Sequence, residues 1–223
     1  MNKLVLAVSL AAAFGITTNA VAQQRDAHSQ HQAAATHNEH NEHNAHTMHH
    51  TALKPAAVNF DDSLYHFNAN WQSQRQQHVQ LSQFQGKPVI ISMIYGNCRT
   101  ACPLLVLDAK TLIEALPAQI RADINVVFVS FDHERDQPQA LAEYAERVGA
   151  LDDNWHFLHG DANDIRTLAA LLGIRYNKND DGNFNHSNVL TVLDQEGRIT
   201  ARQEGLRQDP APAVARISQL MHH

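Results

Sequence analysis

Continuous apolar runs alternate with amphipathic segments along most of the chain. The runs KPVIISMIY (87–95), INVVFVSFD (124–132) and WHFLHG (155–160) contain few polar positions. Such runs are typical of strands that are buried on both faces of a sheet. Apolar residues at helical spacing predict helices over 104–116 and 138–148. The alternation of strands and helices predicts an α/β domain.

Shorter segments complete this pattern on either side. SLYHF (63–67) and HVQLSQF (78–84) predict short strands, and a helix is predicted over Ile165–Leu172. SNVLTVLDQEGRITARQ (187–203) predicts two strands joined by a turn, with a closing helix over Pro212–Met221. This order matches a thioredoxin-like fold over residues 55–223, an α/β sandwich with a mixed central sheet and helices on both faces.

The first 22 residues have the pattern of a cleavable secretory signal. Lys3 precedes an apolar stretch over Leu4–Ile16, and Ala20 and Ala22 form an A-x-A arrangement. The stretch is shorter than the roughly 20 residues that a transmembrane helix needs, so we expect cleavage near Ala22, export to a periplasm and no retained membrane anchor. Removing residues 1–22 takes away Lys3 and no acid, which changes the formal charge from −6 to −7. This charge gives no support for nucleic-acid binding.

Residues 23–54 are rich in histidine and poor in large apolar side chains. Eight histidines lie between Ala27 and His50, and a segment of this composition is predicted to be disordered. Imidazoles in a flexible row can bind copper, zinc or nickel weakly, and a methionine sulfur adds a donor suited to Cu(I). The alternative is a solvated leader without a metal. The candidate donors are His37, His40, His43, His46, Met48, His49 and His50.

The two cysteines lie in YGNCRTACPLL (95–105), between the first apolar run and the helix that follows it. Their spacing places Cys98 and Cys102 in the connecting loop and the first helical turn, where unpaired N–H groups favour thiolates. Arg99 is expected to act in the same direction, so both cysteines are predicted to be more acidic than a free one. Three roles fit the pair: a structural disulfide, a redox-active dithiol, or two ligands of a soft metal ion. The disulfide is the least attractive, because so short a loop constrains the unfolded chain little.

Four segments together resemble the SCO/SenC family of thioredoxin-like copper proteins. They are GKPVIISMIYGNCRTACPLL, VSFDHERDQP, NWHFLHGD and NHSNVLTVLDQEGRI, in that order and over most of Leu64–Arg198. The resemblance implies that Cys98, Cys102 and His186 hold one copper per folded domain, as Cu(I) or Cu(II). It also implies delivery of copper to an acceptor such as the CuA subunit of cytochrome c oxidase, or exchange with other periplasmic copper carriers or thiol reductases.

The family's D-x-x-x-D pair corresponds to Asp132 and Asp136, at the end of the second apolar run. Parallel strands end at the same edge of a sheet, so these carboxylates are expected near the cysteines. Helix capping and acid–base chemistry remain open as their roles. Asp132, Asp136 and His133 are also secondary candidate donors to the copper.

Two functions of different classes are compatible with the sequence. In the first, the protein is a copper chaperone that uses Cys98, Cys102 and His186. In the second, it is a thiol-disulfide oxidoreductase in which Cys98 attacks a partner disulfide and Cys102 resolves the intermediate, with His186 dispensable. A peroxide-reducing relative and simple metal sequestration by the leader are weaker alternatives.

Overall fold

The computed structural model describes residues 52–221. The predicted signal peptide, over residues 1–22, lies outside this range. Residues 23–51 of the predicted His-rich segment also lie outside it, together with the candidate donors His37, His40, His43, His46, Met48, His49 and His50. These predictions therefore remain predictions.

A seven-stranded mixed sheet forms the centre of the domain. Its spatial order is β2-β1-β5-β4-β3-β8-β9. Strands β3, β4 and β5 are parallel, and the outer strands pair antiparallel to their neighbours. A separate antiparallel hairpin consists of β6 and β7. The strands are β1 Trp71–Ser73, β2 His78–Val79, β3 Val89–Ile94, β4 Asn125–Ser130, β5 Trp155–His159, β6 Tyr176–Lys178, β7 Phe184–His186, β8 Val189–Leu193 and β9 Ile199–Glu204.

Five α-helices connect and cover the strands. Their first turns are stabilised locally: Pro138 begins α3, and the Asp161 carboxylate caps α4 by accepting from the Asn163 and Asp164 N–H groups at 2.8 and 3.0 Å. Gly173 follows α4 with φ +63°, a left-handed conformation that suits glycine after a helix. The helices are α1 Ala101–Ala115, α2 Ala118–Arg121, α3 Pro138–Arg147, α4 Ala162–Leu171 and α5 Ala211–Leu220.

The core lies on both faces of the central strands. All six residues of β3 are buried, and successive side chains of a strand point to opposite faces, so both faces are covered. Helix α1 packs with α5 and contacts β8, whereas α3 packs on β5 and β1. The predicted α/β sandwich of thioredoxin-like type, with a mixed central sheet, is confirmed.

The N-terminal part of the domain differs from the prediction. Leu64–His66 forms a 3-10 helix, and only Ser63 makes an isolated bridge, to Arg198. Leu81–Phe84 is also a 3-10 helix, which follows the two-residue strand β2. Because Leu64, Leu81 and Phe84 are buried in the hydrophobic core, their apolar character reflects core packing of the 3-10 helices rather than a strand. Within residues 52–221, none of the helices has the length and apolar content needed to cross a membrane.

Candidate metal centre

The cysteine loop connects β3 to α1 at the carboxyl edge of the sheet. The Cys98 N–H donates to the Tyr95 carbonyl at 3.2 Å, which closes a turn directly after the strand. Cys98 is half-buried in this turn, and Cys102 is fully buried in the first turn of α1. The helix begins at Ala101, two residues before Pro103, so the loop is shorter than the sequence indicated. Neither cysteine forms a disulfide.

His186 reaches the same place from the opposite direction, at the end of β7. Its Cys102-facing nitrogen, Nε2, lies 3.5 Å from the Cys102 Sγ. The other ring nitrogen, Nδ1, lies 3.1 Å from the Ser187 carbonyl oxygen. A carbonyl oxygen only accepts hydrogen bonds, so Nδ1 is the ring nitrogen that donates to the backbone, and this contact holds the ring with Nε2 facing Cys102.

Two thiols and one imidazole therefore converge on a single point. One donor atom from each of Cys98, Cys102 and His186 lies within 4.8 Å of the others. Among the histidine, cysteine and acidic side chains of residues 52–221, these three lie close enough together to hold one metal ion. Two sulfurs with one nitrogen form a donor set that suits a soft ion such as copper. We call these three residues the Cys–Cys–His centre.

The two cysteines differ in acidity. The hydrogen bond from the Cys102 thiol lowers the pKa of Cys98 to about 3, against the opposing effect of burial, and His186 and the backbone N–H groups of Thr100 and Cys102 lower it further. Burial raises the pKa of Cys102 well above its usual range, and the neighbouring Cys98 sulfur raises it further. The prediction that both cysteines are acidic is therefore wrong for Cys102, because it is buried. The centre holds one thiolate and one thiol.

The acidity of Cys98 leads to a pH prediction. We expect the rate at which iodoacetamide alkylates Cys98 to be nearly constant between pH 5 and 8, because its pKa of about 3 keeps it a thiolate throughout. An ordinary thiol with a pKa of about 8.5 would react about tenfold faster for each pH unit over that range. Mass spectrometry of the alkylated peptides measures the rate.

The Cys102→Ala variant is the control for this experiment. It removes the thiol whose hydrogen bond contributes most to the low pKa of Cys98, so some pH dependence should return. A wild-type rate that rises with pH like that of an ordinary thiol would contradict the assignment.

Aromatic side chains form the wall behind His186. The Tyr95 ring meets the imidazole edge-on, with ring centroids 6.1 Å apart, and the Phe131 ring lies 5.1 Å away. Phe184 and Tyr176 extend the wall by packing against Phe131. Burial and the nearby Cys98 both raise the pKa of Tyr95 above its usual range, so its phenol stays neutral beside the thiolate. This wall keeps water from one side of the centre.

The carboxylate of Asp136 supports the cysteine loop. It is buried and accepts hydrogen bonds from the Ser130 hydroxyl and, at 2.6 Å, from the Gly96 N–H. A Cβ at position 96 would lie 2.7 Å from an Asp136 oxygen, so a larger residue there would displace the carboxylate. Burial raises the pKa of Asp136, and these two hydrogen bonds oppose the shift. The carboxylate thus fixes the turn that carries Cys98.

Asp132 supports the hairpin that carries His186, acting through an arginine. Its buried carboxylate pairs with the Arg135 guanidinium, which also donates to the Gly182 carbonyl in the turn between β6 and β7. A second link is the ion pair between Glu134 and Lys178 of β6, at 2.6 Å. The loop after β4 therefore holds both ligand-bearing segments, one through each aspartate.

These contacts indicate a role for the acidic pair that differs from the helix capping and the acid–base chemistry that the sequence left open. Asp132 and Asp136 lie at the predicted edge of the sheet, but their oxygens bond to neighbouring protein groups, and neither belongs to the Cys–Cys–His centre. His133, in the exposed turn beside them, is also outside that group of residues 52–221. The structure favours a positioning role for the pair, and direct metal ligation by these three residues remains a prediction without support from the geometry.

Sequence reasoning missed the hairpin and its anchor. The sequence pattern predicted no strand between the helix over Ile165–Leu172 and the strands within 187–203, whereas Tyr176–Lys178 and Phe184–His186 pair as strands. The available signal was the Asp181–Gly182 dipeptide between segments that each contain an aromatic residue, a pattern that favours a tight hairpin turn. Gly182 has φ +76°. No local pattern indicated that Arg135 links Asp132 to Gly182, because these two partners are far apart in sequence.

The fold and the centre together define a class: a thioredoxin-like domain with a dithiol–imidazole group at the carboxyl edge of its sheet. The chain belongs to the SCO1/SenC family, whose family model matches residues 63–222. The match covers every element that positions Cys98, Cys102 and His186.

Individual relatives agree with this assignment. The chain is 25% identical over 143 residues to the SCO1 protein homolog of Bacillus subtilis (strain 168), a stretch that covers 63% of this chain and 74% of the relative. The structure of Bradyrhizobium japonicum ScoI with copper bound has a TM-score of 0.57 at 22% identity, covering 68% of this chain and 96% of that one. BsSco is described as a member of the Sco family of cytochrome c oxidase assembly proteins, with a disulfide switch. It has a TM-score of 0.60 at 22% identity, covering 72% of this chain and 96% of its own. The two structural similarities concern the fold.

Proposed function

We propose that this protein is a periplasmic copper chaperone that binds one copper ion through Cys98, Cys102 and His186. The observation that carries the proposal is the convergence of the two cysteine sulfurs and one ring nitrogen of His186 within 4.8 Å of one another. Thiolates suit Cu(I), and an imidazole adds the nitrogen that Cu(II) prefers, so this donor set accommodates both oxidation states. Support also comes from the relative that was solved with copper bound.

The two cysteines have different parts in the transfer. Cys98 is the half-buried thiolate and lines a cavity of about 660 Å³, together with Arg99 and Asn183. Cys102 and His186 are less accessible, because both are buried. Delivery then proceeds by ligand exchange, in which an acceptor's donor first displaces Cys98 and afterwards the two buried ligands. The acceptor is a copper protein such as the CuA subunit of an oxidase, in keeping with the oxidase assembly role that is attributed to BsSco.

A Cu(I) competition experiment tests this function. The reduced full-length protein competes with a chromophoric chelator for Cu(I), and we expect one tight equivalent in the wild type. Cys98→Ala should abolish that equivalent. Thr100→Ala is the matched control in the same loop, because the Thr100 side chain makes no helix-capping bond. All variants keep the His-rich leader, so its weaker binding is constant. A wild type without a tight equivalent, or a Cys98→Ala variant that retains it, would contradict the assignment.

A thiol-disulfide oxidoreductase is the second candidate function. The arrangement of an accessible thiolate, Cys98, in front of a buried thiol, Cys102, favours it. The Cys98 thiolate would attack a partner disulfide and release one partner thiol. Cys102 would then displace the second, which leaves a Cys98–Cys102 disulfide and a reduced partner. This function predicts that His186→Ala retains reductase activity, whereas the chaperone requires the imidazole for copper.

A further inference from the structure

Residues 52–58 form neither a helix nor a strand, yet they contact the metal centre. We call this segment the strap. The Leu53 N–H donates to the carbonyl oxygen of His186 at 3.3 Å. Ala52 lines the same cavity as Cys98 and His186. The strap therefore bonds to the backbone of the residue that carries the imidazole.

The strap is fixed against the turn that follows α4. The Ala56 N–H donates to the Gly173 carbonyl at 2.8 Å. Gly173 has φ +63°, and a Cβ there would lie 2.5 Å from the Ala56 oxygen and 2.7 Å from a methyl group of Val58. A side chain at position 173 would therefore push the strap away from the turn.

Arg202 of β9 joins the strap to the same turn. Its side chain is only 9% exposed, and a buried guanidinium needs polar partners. It donates to the Ala56 carbonyl at 3.2 Å and to the Leu172 carbonyl at 3.3 Å. Its third partner is Glu204, at 2.9 Å. One buried cation thus links the backbone of the strap to the end of α4.

The turn after α4 leads into the hairpin that carries His186. Arg175 lies between the turn and β6, and its N–H donates to the Ser187 hydroxyl oxygen at 2.8 Å. The Arg175 carbonyl accepts from the Ser187 N–H at 2.9 Å. In the hairpin itself, Tyr176 pairs with His186. His186 is therefore held by β6 and, through its carbonyl oxygen, by the strap.

The orientation of the imidazole depends on the peptide group between His186 and Ser187. Leu53 bonds to the carbonyl of this peptide group, and Arg175 bonds to its N–H. The ring nitrogen Nδ1 lies 3.1 Å from the next carbonyl oxygen, that of Ser187. A rotation of the peptide group would therefore turn the ring and move Nε2 relative to the two cysteine sulfurs.

We propose that the strap positions His186 for copper, with Leu53 holding the His186 carbonyl and Gly173 serving as the anchor. This inference rests on the proposed copper-binding function. Cu(II) prefers nitrogen ligands, whereas Cu(I) is satisfied by the thiolates. By fixing the imidazole, the strap sets the preference of the centre between the two oxidation states.

The first test removes the hydrogen bond between the strap and His186. Leu53→Pro lacks the N–H that donates to the His186 carbonyl. Lys54→Pro is the matched control, because the Lys54 N–H makes no hydrogen bond within residues 52–221. In the full-length protein, Leu53→Pro should lower the affinity for Cu(II) about tenfold and that for Cu(I) less than about threefold, and the control should change either less than about twofold. Competition titrations measure both affinities.

The second test displaces the anchor. Gly173→Ala adds a methyl group against the strap. Gly149→Ala is its matched control, since Gly149 follows α3 with φ +64° and a Cβ there would meet only the flexible end of Lys110, at 3.3 Å. Both variants place alanine in a left-handed conformation at a similar cost, so their difference reports the strap. Gly173→Ala should lower the affinity for Cu(II) about fivefold or more, and Gly149→Ala less than about twofold.

Hydrogen–deuterium exchange in the copper-free protein gives a measurement that does not depend on the metal. Peptides over residues 183–188 should exchange about fivefold or more faster in Leu53→Pro and Gly173→Ala than in their controls. Peptides over β3 should exchange at the wild-type rate in all four variants. Faster exchange in β3 as well would indicate general destabilisation and would overturn a local positioning role.

Two other results would overturn the role of the strap alone. The first is equal exchange over residues 183–188 in the variants and their controls. The second is faster exchange there with unchanged Cu(II) affinity, because the strap would then support the hairpin without affecting the metal. If the wild type itself lacks a tight copper site, the proposed copper-binding function fails, and the role of the strap at the metal fails with it.

Discussion

His186→Ala is expected to lower the affinity for Cu(II) by more than 100-fold, because loss of even an outer hydrogen-bond partner of a metal ligand typically costs about 10–100-fold. The variant removes the nitrogen donor and leaves two sulfurs. Cu(II) prefers nitrogen and oxygen ligands, whereas Cu(I) is satisfied by thiolates in low coordination. The loss should therefore be smaller for Cu(I). Competition titrations against one chelator for each oxidation state measure both affinities.

The design needs a histidine control, and the chain offers one. His78 is exposed on β2, at the outer edge of the central sheet, so His78→Ala removes an imidazole without changing the centre. We expect wild-type affinities for both oxidation states in that variant. Unchanged Cu(II) affinity in His186→Ala would show that the imidazole is not a ligand and would contradict the Cys–Cys–His assignment.

Asp136→Ala is expected to lower the free energy of unfolding by about 3 kcal/mol, since it leaves two donors without their acceptor in a buried place. These donors are the Ser130 hydroxyl and the Gly96 N–H, which at present share one carboxylate oxygen. The loss also releases the turn before Cys98, so alkylation of Cys98 should change in the folded protein. Urea unfolding measures the first effect and peptide mass spectrometry the second.

Two further variants separate the role of this carboxylate from a general effect of removing an acid. Asp136→Asn keeps an acceptor oxygen and avoids the cost of a buried charge, so it should destabilise less than Asp136→Ala. Asp123→Ala removes the partner of Lys87 in a half-exposed pair at 3.0 Å and should change the free energy of unfolding by less than about 1 kcal/mol. Equal losses in Asp136→Ala and Asp123→Ala would remove the case for a positioning role.

The buried central strands and the location of the two cysteines were predicted correctly from the sequence, and there is a physical reason for this. Strands such as β3 are buried on both faces, so their apolar runs are unbroken and easy to recognise. Cys98 and Cys102 directly follow such a run and precede an amphipathic helix. Their location at the edge of the sheet therefore follows from local pattern, which agrees with the half-buried loop and buried first turn.

Features that depend on distant contacts were not predictable in the same way. The acidity of Cys102 was predicted with the wrong sign, because its burial depends on how α1 packs. Leu64 and Leu81 lie in 3-10 helices and are buried in the core. Segments this short show the same apolar residues in a 3-10 helix as in a strand, so the sequence could not distinguish the two. For His186, the residues alone made it only a candidate, and the resemblance to a family was needed to single it out.

The way in which the hairpin of β6 and β7 is attached to the domain affects how a metal centre of this kind can change during evolution. It pairs with no strand of the seven-stranded sheet, and it is joined to the loop after β4 by side-chain contacts at Gly182 and Lys178. The third donor is thus carried by a peripheral module, while the two sulfurs are built into the framework. Substitutions in this module can retune metal selectivity or abolish it while the folding of the framework is left intact. A copper carrier and a thiol reductase can therefore evolve from one another on the same scaffold.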